Sequence, residues 1–301
     1  MCRSATRDVE LHGKQIREGD QLLLMYSSAN RDETHFERPE EFDVTRDPNL
    51  HLAFGFGTHF CVGSNLARME IRIFFEEFLR RARVALPEAT ILVVDDNSPD
   101  GTADIAERIG AELGGIEVLR RPVKAGLGNA YRAAFTIGLA RGYDVLIQID
   151  TDLSHDPAAV PALLAGIDDG AHMVIGSRYV PGGAIPDWPL HRRALSRWGN
   201  RYTAFVLGMP VRDATSGFRD YRAEALRAVD YDTTRSKGYG FQMELAYRTF
   251  RLGRPIVEVP IVFTDRVHGK SKLTLTIAAE ELTFVSWWGL RDRLLRRRHR
   301  T

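Results

Sequence analysis

Ile91-Leu92-Val93-Val94-Asp95-Asp96-Asn97-Ser98-Pro99-Asp100-Gly101-Thr102 is the stretch on which the fold turns. Four apolar residues, three of them β-branched, run into two adjacent carboxylates. Pro99-Asp100-Gly101 is turn chemistry, and Asp100 or Ser98 can cap a helix starting near Thr102. Similar apolar runs recur at Ile116 to Leu119, Val145 to Ile149, Met173 to Ile175 and Ile256 to Phe263. Helical stretches of roughly Thr102 to Leu113, Gly128 to Arg141 and Asp156 to Ile167 separate the first four runs. This alternation predicts an α/β fold with a mostly parallel sheet flanked by helices. Pro255 and Pro260 bracket the last run and suit an edge or interrupted strand.

Upstream the rhythm is absent. Met1 to about Arg83 reads as a small irregular α+β fragment with strand-like pieces at Val9 to Leu11 and Gln21 to Met25. An acidic irregular stretch follows from Asn30 to Asn49, then the glycine- and ring-rich Ala53 to Gly63. A helix is predicted from near Ser64, with Ala67, Ile71, Phe74, Phe75, Phe78 and Ala82 on its buried face. Arg80, Arg81 and Arg83 suit the negative pole at its end. At 301 residues the chain has room for about two domains, read as 1–83 and 84–301.

Composition excludes several classes. Hydrophobic residues at 44% and charged residues at 27% are ordinary globular usage, and 41 basic against 40 acidic residues gives no field favouring nucleic acid. Cys2 and Cys61 make no disulfide framework, so a reducing compartment is expected. Leu282 to Leu290 is too short to span a bilayer, and no apolar run follows the charged N-terminus as a signal peptide would require. The expectation is a cytoplasmic protein, soluble or peripheral on the inner face of the membrane.

In such sheets ligands bind beyond the carboxyl ends of the strands. The helix-start reading of Asp95 to Thr102 leaves the adjacent Asp95 and Asp96 without a purpose. The third run ends Asp150-Thr151-Asp152-Leu153-Ser154-His155, two carboxylates on one side of a strand end, which suits a hard divalent cation bound to substrate phosphates. Arg178, then Arg192, Arg193 and Arg197, then Arg266 to Lys272 supply cations able to hold phosphate. Each basic group alone reads equally as a solvated face; acidic pair, D-x-D and basic loops together read as a metal–pyrophosphate site.

From Leu86 onward the chain resembles the polyprenol-phosphate (dolichol-phosphate) mannose synthases of the family-2 glycosyltransferases, which have the GT-A fold. The strings that carry this, in order, are V-V-D-D-N-S-P-D-G-T, K-A-G-L-G-N-A-Y, I-D-T-D-L-S-H-D-P, G-S-R-Y-V-P-G-G, D-W-P-L-H-R-R, D-A-T-S-G-F-R, G-Y-G-F-Q-M-E-L and D-R-V-H-G-K-S-K-L. The resemblance implies Asp95 and Asp96 at the nucleotide, Asp150 and Asp152 on Mg²⁺ or Mn²⁺ with Ser154 nearby, and Arg266 with Lys272 on the donor. It implies Arg178, Arg192 and Ser196 at the acceptor phosphate, with Asp152, Arg178 and Arg266 carrying catalysis. Gln242 and Glu244 fall in the sugar-proximal helix, Glu244 also reading as a structural partner. The implied reaction is metal-dependent, inverting transfer of mannose from GDP-mannose to polyprenyl phosphate, an acceptor already anionic and in need of no general base. Trp287-Trp288 and the six arginines from Arg291 to Arg300 suit contact with anionic lipid, or else a core-docked helix with a basic end; a membrane-protein partner is left open.

The first 83 residues resemble another family. F-G-x-G-x-H-x-C-x-G around Cys61, with D-V-E-L-H-G-K-Q-I-R-E-G-D and A-N-R-D-E-T-H-F-E-R-P-E-E-F-D upstream, is similar to the haem-thiolate end of cytochrome P-450 monooxygenases. There the cysteine ligates haem iron. Only the last fifth of such an enzyme is represented, with nothing to form a second wall, so a non-functional fragment is expected and haem binding at Cys61 is not. The transferase resemblance lacks its opening strand and P-T-Y-N-E-type loop. The helix ending near Arg83 is expected to replace the first helix, and Gln21 to Tyr26 to fill the vacant strand position. The alternatives are a chimera that binds nucleotide sugar or membrane without turnover, or a haem-binding monooxygenase remnant.

Overall fold

The computed structural model of the chain describes residues 2–41, 46, 48–57, 61–98, 101–123, 125–234, 236, 240–265 and 282–291, by backbone alone at 62, 64–68 and 71. Two compact units result, Met1–Glu70 and Ile71–Thr301.

In the first unit, β1 (Cys2–Ser4), β2 (Val9–Leu11), β3 (Lys14–Ile16) and β4 (Gln21–Leu23) precede a one-turn helix α1 (Tyr26–Ala29). β2 and β3 form a hairpin across His12 and Gly13, both at positive φ (47° and 75°), as a two-residue turn requires. β1 pairs antiparallel with β4, Cys2 opposite Leu23. The expectation that Gln21 to Tyr26 fills a vacant position in the larger sheet is therefore corrected. That segment spends its ladder on β1, a nearer partner with a smaller loop to close, and turns helical at Tyr26.

Helix α2 (Val62–Ala85) begins in the first unit and belongs to the second from residue 71. The second unit continues with β5 (Ile91–Asp95), α3 (Thr102–Leu113), β6 (Ile116–Arg120), α4 (Leu127–Ala140) and β7 (Val145–Gln148). Next come α5 (Val160–Asp168), β8 (Met173–Ser177), α6 (Leu190–Leu207), β9 (Arg219–Arg222), α7 (Ala223–Ala228), α8 (Gly240–Arg251), β10 (Ile256–Pro260) and a last helix α9 over 282–291. The predicted alternation is present, with α3 at the expected bounds.

α2 does take a first-helix role. Phe75, Phe78, Leu79 and Ala82 pack with Val93, Ile105, Ala106, Ile109 and Ile116 in one apolar core. Phe74 is half-buried, while the side chains of Ala67 and Ile71 lie outside the described residues. Arg83 donates to the carbonyls of Pro87, Ala89 and Gly115, pinning the helix end to the starts of β5 and β6.

β5 and β6 form a parallel pair, and a separate four-stranded sheet runs β10-β8-β9-β7. β10 is parallel to β8; β9 is antiparallel to both β7 and β8. β9 reads Arg-Asp-Tyr-Arg, without the apolar run that marks the other strands, yet Arg219, Asp220 and Tyr221 are all fully buried. Arg219 survives there by donating to the carbonyls of Ser216, Gln242 and Ala214. Among the described residues no strand bridges β5 and β7.

Candidate active site

The acidic groups gather at the carboxyl ends of β5 and β7. Asp95 is buried and accepts the Ser98 backbone N–H at 3.0 Å, closing a turn in which Asn97 sits at φ 58°. Asp96 faces Arg121, 2.9 Å away. The pair is thus separated: one carboxylate shapes the loop, the other is neutralised beside it.

After β7, Asp150 receives the Tyr131 hydroxyl at 3.4 Å, and burial, then the Asp150 charge, hold that phenol protonated far above its ordinary pKa. Asp152 accepts the Ser154 backbone N–H at 3.1 Å across Leu153, which takes a left-handed φ of 55°. Gly217 packs close here: a Cβ would lie 3.0 Å from the Asp150 carboxylate, which would have to shift slightly. Three buried polar atoms of this neighbourhood lack a protein partner, the Ser154 hydroxyl, His155 Nδ1 and Gln242 Oε1. His155 Nδ1 stands 3.9 Å from Asp150, its ring between those of Phe218 and Phe263.

His155 also registers what converges on it. Burial lowers its pKa, the Arg178 charge lowers it further, and Asp150, Asp152 and Asp213 oppose both. Carboxylates from the end of β7 and a guanidinium from the end of β8 therefore act on one imidazole, which stays neutral at pH 7.

Arg178 is 8% exposed and held by Asp213 through Nε at 2.7 Å, Nη2 at 2.6 Å and its own backbone N–H at 2.9 Å. Burial alone would raise the Asp213 pKa; Arg178 holds it below the usual carboxylate range. The guanidinium lies over the rings of Tyr179, Trp188 and Phe263 at 5.4 to 5.5 Å. With Arg193 and Arg197 it lines a pocket of about 230 Å³ closed by Gly183 to Pro186. A Cβ on Gly183 would strike the Ser177 carbonyl at 2.6 Å, so glycine alone permits that closure.

The other expected acceptor residues are placed differently. Arg192 pairs with Asp265 at 3.0 Å and stacks on Trp188, its guanidinium carbon 3.9 Å from the ring centroid. Ser196 accepts the Tyr179 hydroxyl at 2.7 Å. Arg193 and Arg197, one turn apart on α6, share a helix face and line the pocket beside Arg178; Arg193 also donates to the Ile185 and Trp188 carbonyls, and Arg197 lies over the Tyr179 ring. Glu244 accepts the Ser236 N–H and pairs with Arg248, the structural role. Arg266 and Lys272 lie outside the described residues. Among the described residues no three His, Cys, Asp or Glu side chains already form a metal shell. The site does fit a hard cation that draws remaining ligands from substrate: two carboxylates on one strand end, with an unpartnered buried hydroxyl beside them.

Comparison with known proteins gives matches to two families. Residues 1–104 match the cytochrome P450 family model. The chain is 50% identical over 215 residues to an undecaprenyl-phosphate mannosyltransferase of Micrococcus luteus, covering 71% of this chain and 88% of the relative. It is 46% identical to a polyprenol monophosphomannose synthase of Mycolicibacterium smegmatis, covering 72% and 83%. A glucosyl-3-phosphoglycerate synthase from Mycobacterium tuberculosis, solved with Mn²⁺, UDP-glucose and phosphoglyceric acid, superposes with a TM-score of 0.48 at 22% identity over 66% of this chain and 67% of that one. With the glycosyl transferase family 2 model matching residues 70–230, across the acidic strand ends and the Arg178 pocket alike, the chain belongs to glycosyl transferase family 2 and its GT-A-like fold.

Proposed function

We propose that this chain transfers mannose from GDP-mannose to a polyprenyl phosphate with inversion, with Asp150 and Asp152 holding Mg²⁺ or Mn²⁺. One observation carries the reading: His155, 3.9 Å from Asp150, packs on the Phe263 ring that the Arg178 guanidinium covers, so the acidic strand end adjoins the Arg178 pocket. The names of the Micrococcus and Mycolicibacterium relatives support the mannosyl group and the polyprenyl phosphate acceptor, and the resemblance in sequence supports GDP as the carrier. A metal at these carboxylates would offset the charge of the leaving diphosphate.

The chain's own residues do the rest. Arg193 and Arg197, sharing a pocket with the Arg178 that Asp213 holds, receive the lipid phosphate and bring its oxygen toward the anomeric carbon. That oxygen forms the new bond to carbon as the bond to GDP breaks, giving a β-linked mannosyl phosphate. No base is needed, which agrees with His155 being neutral and enclosed rather than poised beside substrate. Asp95 and Asp96 shape the nucleotide side, and Arg266 and Lys272 act on the donor diphosphate.

The acceptor's lipid tail gives the outer faces of α6 and α9 a purpose. Trp198, Phe205, Trp287 and Leu290 stand exposed there, Phe205 by 79%, flanked by Arg201 and by Arg291 over the Trp287 ring. Val285 and Trp288 meanwhile dock α9 into the core. Docking into the core and contact with lipid are therefore compatible on opposite faces of one helix; Arg293 to Arg300 lie outside the described residues. We assign the outer face to peripheral contact with the cytoplasmic leaflet; among the described residues no helix is long and apolar enough to cross a membrane. Residues 84–301 are proposed as the transferase domain, with the Phe75 to Ala82 face of α2 completing its core. The P-450-like residues ahead of that face are proposed as a remnant without haem: Cys61 is exposed and Phe56 is 81% exposed, where haem would meet water.

The test is incubation of purified protein with radiolabelled GDP-mannose, Mg²⁺ and polyprenyl phosphate. Label should enter the organic phase, and Asp152→Ala should abolish this while the fold survives. Label remaining aqueous with Mg²⁺ and with Mn²⁺ would favour the second reading, binding without turnover, to which the break between β5 and β7 points.

A further inference from the structure

The break between the sheets has the dimensions of one missing strand. β5 and β7 flank a cavity of about 730 Å³, lined by all of β5 and by Val145, Leu146 and Ile147 of β7. They run the same way: Glu88, Ala89, Thr90, Tyr143 and Asp144 line one end of the cavity, while Asp95, Ser98, Asp150 and Thr151 line the other. Where the strands begin, the Tyr143 hydroxyl reaches across to Thr90 at 2.6 Å. Phe75, Phe78 and Leu79 of α2 close the cavity on one side; Ala130, Ala134 and Phe135 of α4 and Val160 and Leu164 of α5 add further apolar walls.

The backbone pattern says which groups wait. Ile91 donates to Gly115 and Asp95 accepts from Arg121, so residues 91, 93 and 95 spend their peptide groups on β6. Parallel pairing alternates edges, so the N–H and C=O of Leu92 and Val94 face the cavity. Ala223 donates to Asp144, which assigns Asp144, Leu146 and Gln148 to β9 and leaves Val145 and Ile147 facing the cavity. Two parallel strands thus present unspent hydrogen-bonding edges to each other across an apolar space whose volume suits roughly five medium-sized residues at protein packing density.

We propose that this slot is a binding site for one extended segment of a separate polypeptide, inserted parallel to β5 and β7. Its chemistry follows from the walls. Helices on more than one side call for apolar, β-branched residues pointing both ways, as in a central parallel strand. Exposed Glu88 and Asp144 at the amino end call for basic residues just before it. The carboxyl end delivers the segment's continuation beside Asp95 and Asp150, so the occupant completes the donor side of the candidate active site. This proposal rests on the sheet geometry and not on the substrate assignment.

The probe is the peptide acetyl-Lys-Lys-Val-Val-Ile-Val-Val-Thr-Gly-amide, titrated into the full chain with no sugar nucleotide present. Residue-resolved hydrogen exchange should show more than tenfold slowing at the amides of Leu92, Val94, Val145 and Ile147 and little change at Val93 and Leu146. Replacing the two lysines by glutamates should weaken binding at least tenfold, and N-methylating alternate peptide amides should abolish it. Val94→Pro should also abolish it while leaving the β5–β6 ladder intact, because that N–H serves only the slot. Should Val94→Pro fail to fold, the N-methylated peptide poses the same question to the unaltered protein. Two results would overturn the proposal: the four amides already protected without peptide, or equal binding of the N-methylated or glutamate-flanked peptides. Mannosyl transfer is read separately, so failure there and failure here are distinguishable.

Discussion

Asp220 offers the sharpest physical prediction. It sits in β9 opposite Ile147 of β7 and Val174 of β8, fully buried, with neither carboxylate oxygen partnered. Alternation places it on the face of Phe218, whose core cluster includes Val160, Leu163 and Ile167 of α5. Burial alone pushes its pKa from 3.8 up to about 8. The native state therefore keeps the proton over a range in which the unfolded chain has released it. Below pH 3.8 both states are protonated and the residue has no effect on stability. From about pH 4 to about pH 8 unfolding releases a proton, and stability falls by about 1.4 kcal/mol per pH unit. The accumulated loss is about 4 kcal/mol by pH 7 and on the order of 5 kcal/mol at pH 8 and above. Asp220→Asn keeps a neutral group of the same shape and removes the titration. In urea unfolding from pH 4.5 to 8.5, wild type and variant should nearly coincide at the acid end. By pH 7 the variant should lead by several kcal/mol, which for a unit of this size is a gain of about 8–16 °C in Tm. Parallel pH profiles for the two proteins would refute the reasoning, because the carboxyl would then titrate alike folded and unfolded.

Three further outcomes test the site. Asp213→Ala strands the buried Arg178 charge and should destabilise the fold by about 3–5 kcal/mol in denaturant titration, whereas the double change Asp213→Ala with Arg178→Met should recover part of that loss. Arg193→Ala and Arg197→Ala should each raise the KM for polyprenyl phosphate by about 10- to 100-fold, leaving the KM for GDP-mannose within twofold, as loss of one charged hydrogen bond predicts. Phe205→Glu with Leu290→Glu should lower liposome flotation at least tenfold, with Tm unchanged because both side chains point to solvent.

Much of the architecture was legible because it is local. β-branched runs ending in acid or turn residues marked β5, β6, β7, β8 and β10, and the apolar stripe of α2 marked the face that meets Val93 and Ile109. β9 was not legible: Arg-Asp-Tyr-Arg has no strand-like pattern, and it is a strand because carbonyls brought together from Ala214, Ser216 and Gln242 satisfy Arg219. The same limit applied at the Arg178 pocket, where residue type alone could not say that Arg193 and Arg197 line it while Arg192 pairs with Asp265 and Ser196 accepts from Tyr179.

By itself, then, the sequence determined the strand–helix order, the acidic strand ends and the family resemblance, since each is written in short-range patterns of burial, turn chemistry and charge. Only the tertiary structure decided which arginines share a pocket, that Asp220 is buried without a partner, and that Gln21–Leu23 pairs with Cys2–Ser4 while β5 and β7 keep open edges. Those outcomes depend on which distant groups compete for one hydrogen bond or one buried position, a competition settled in three dimensions.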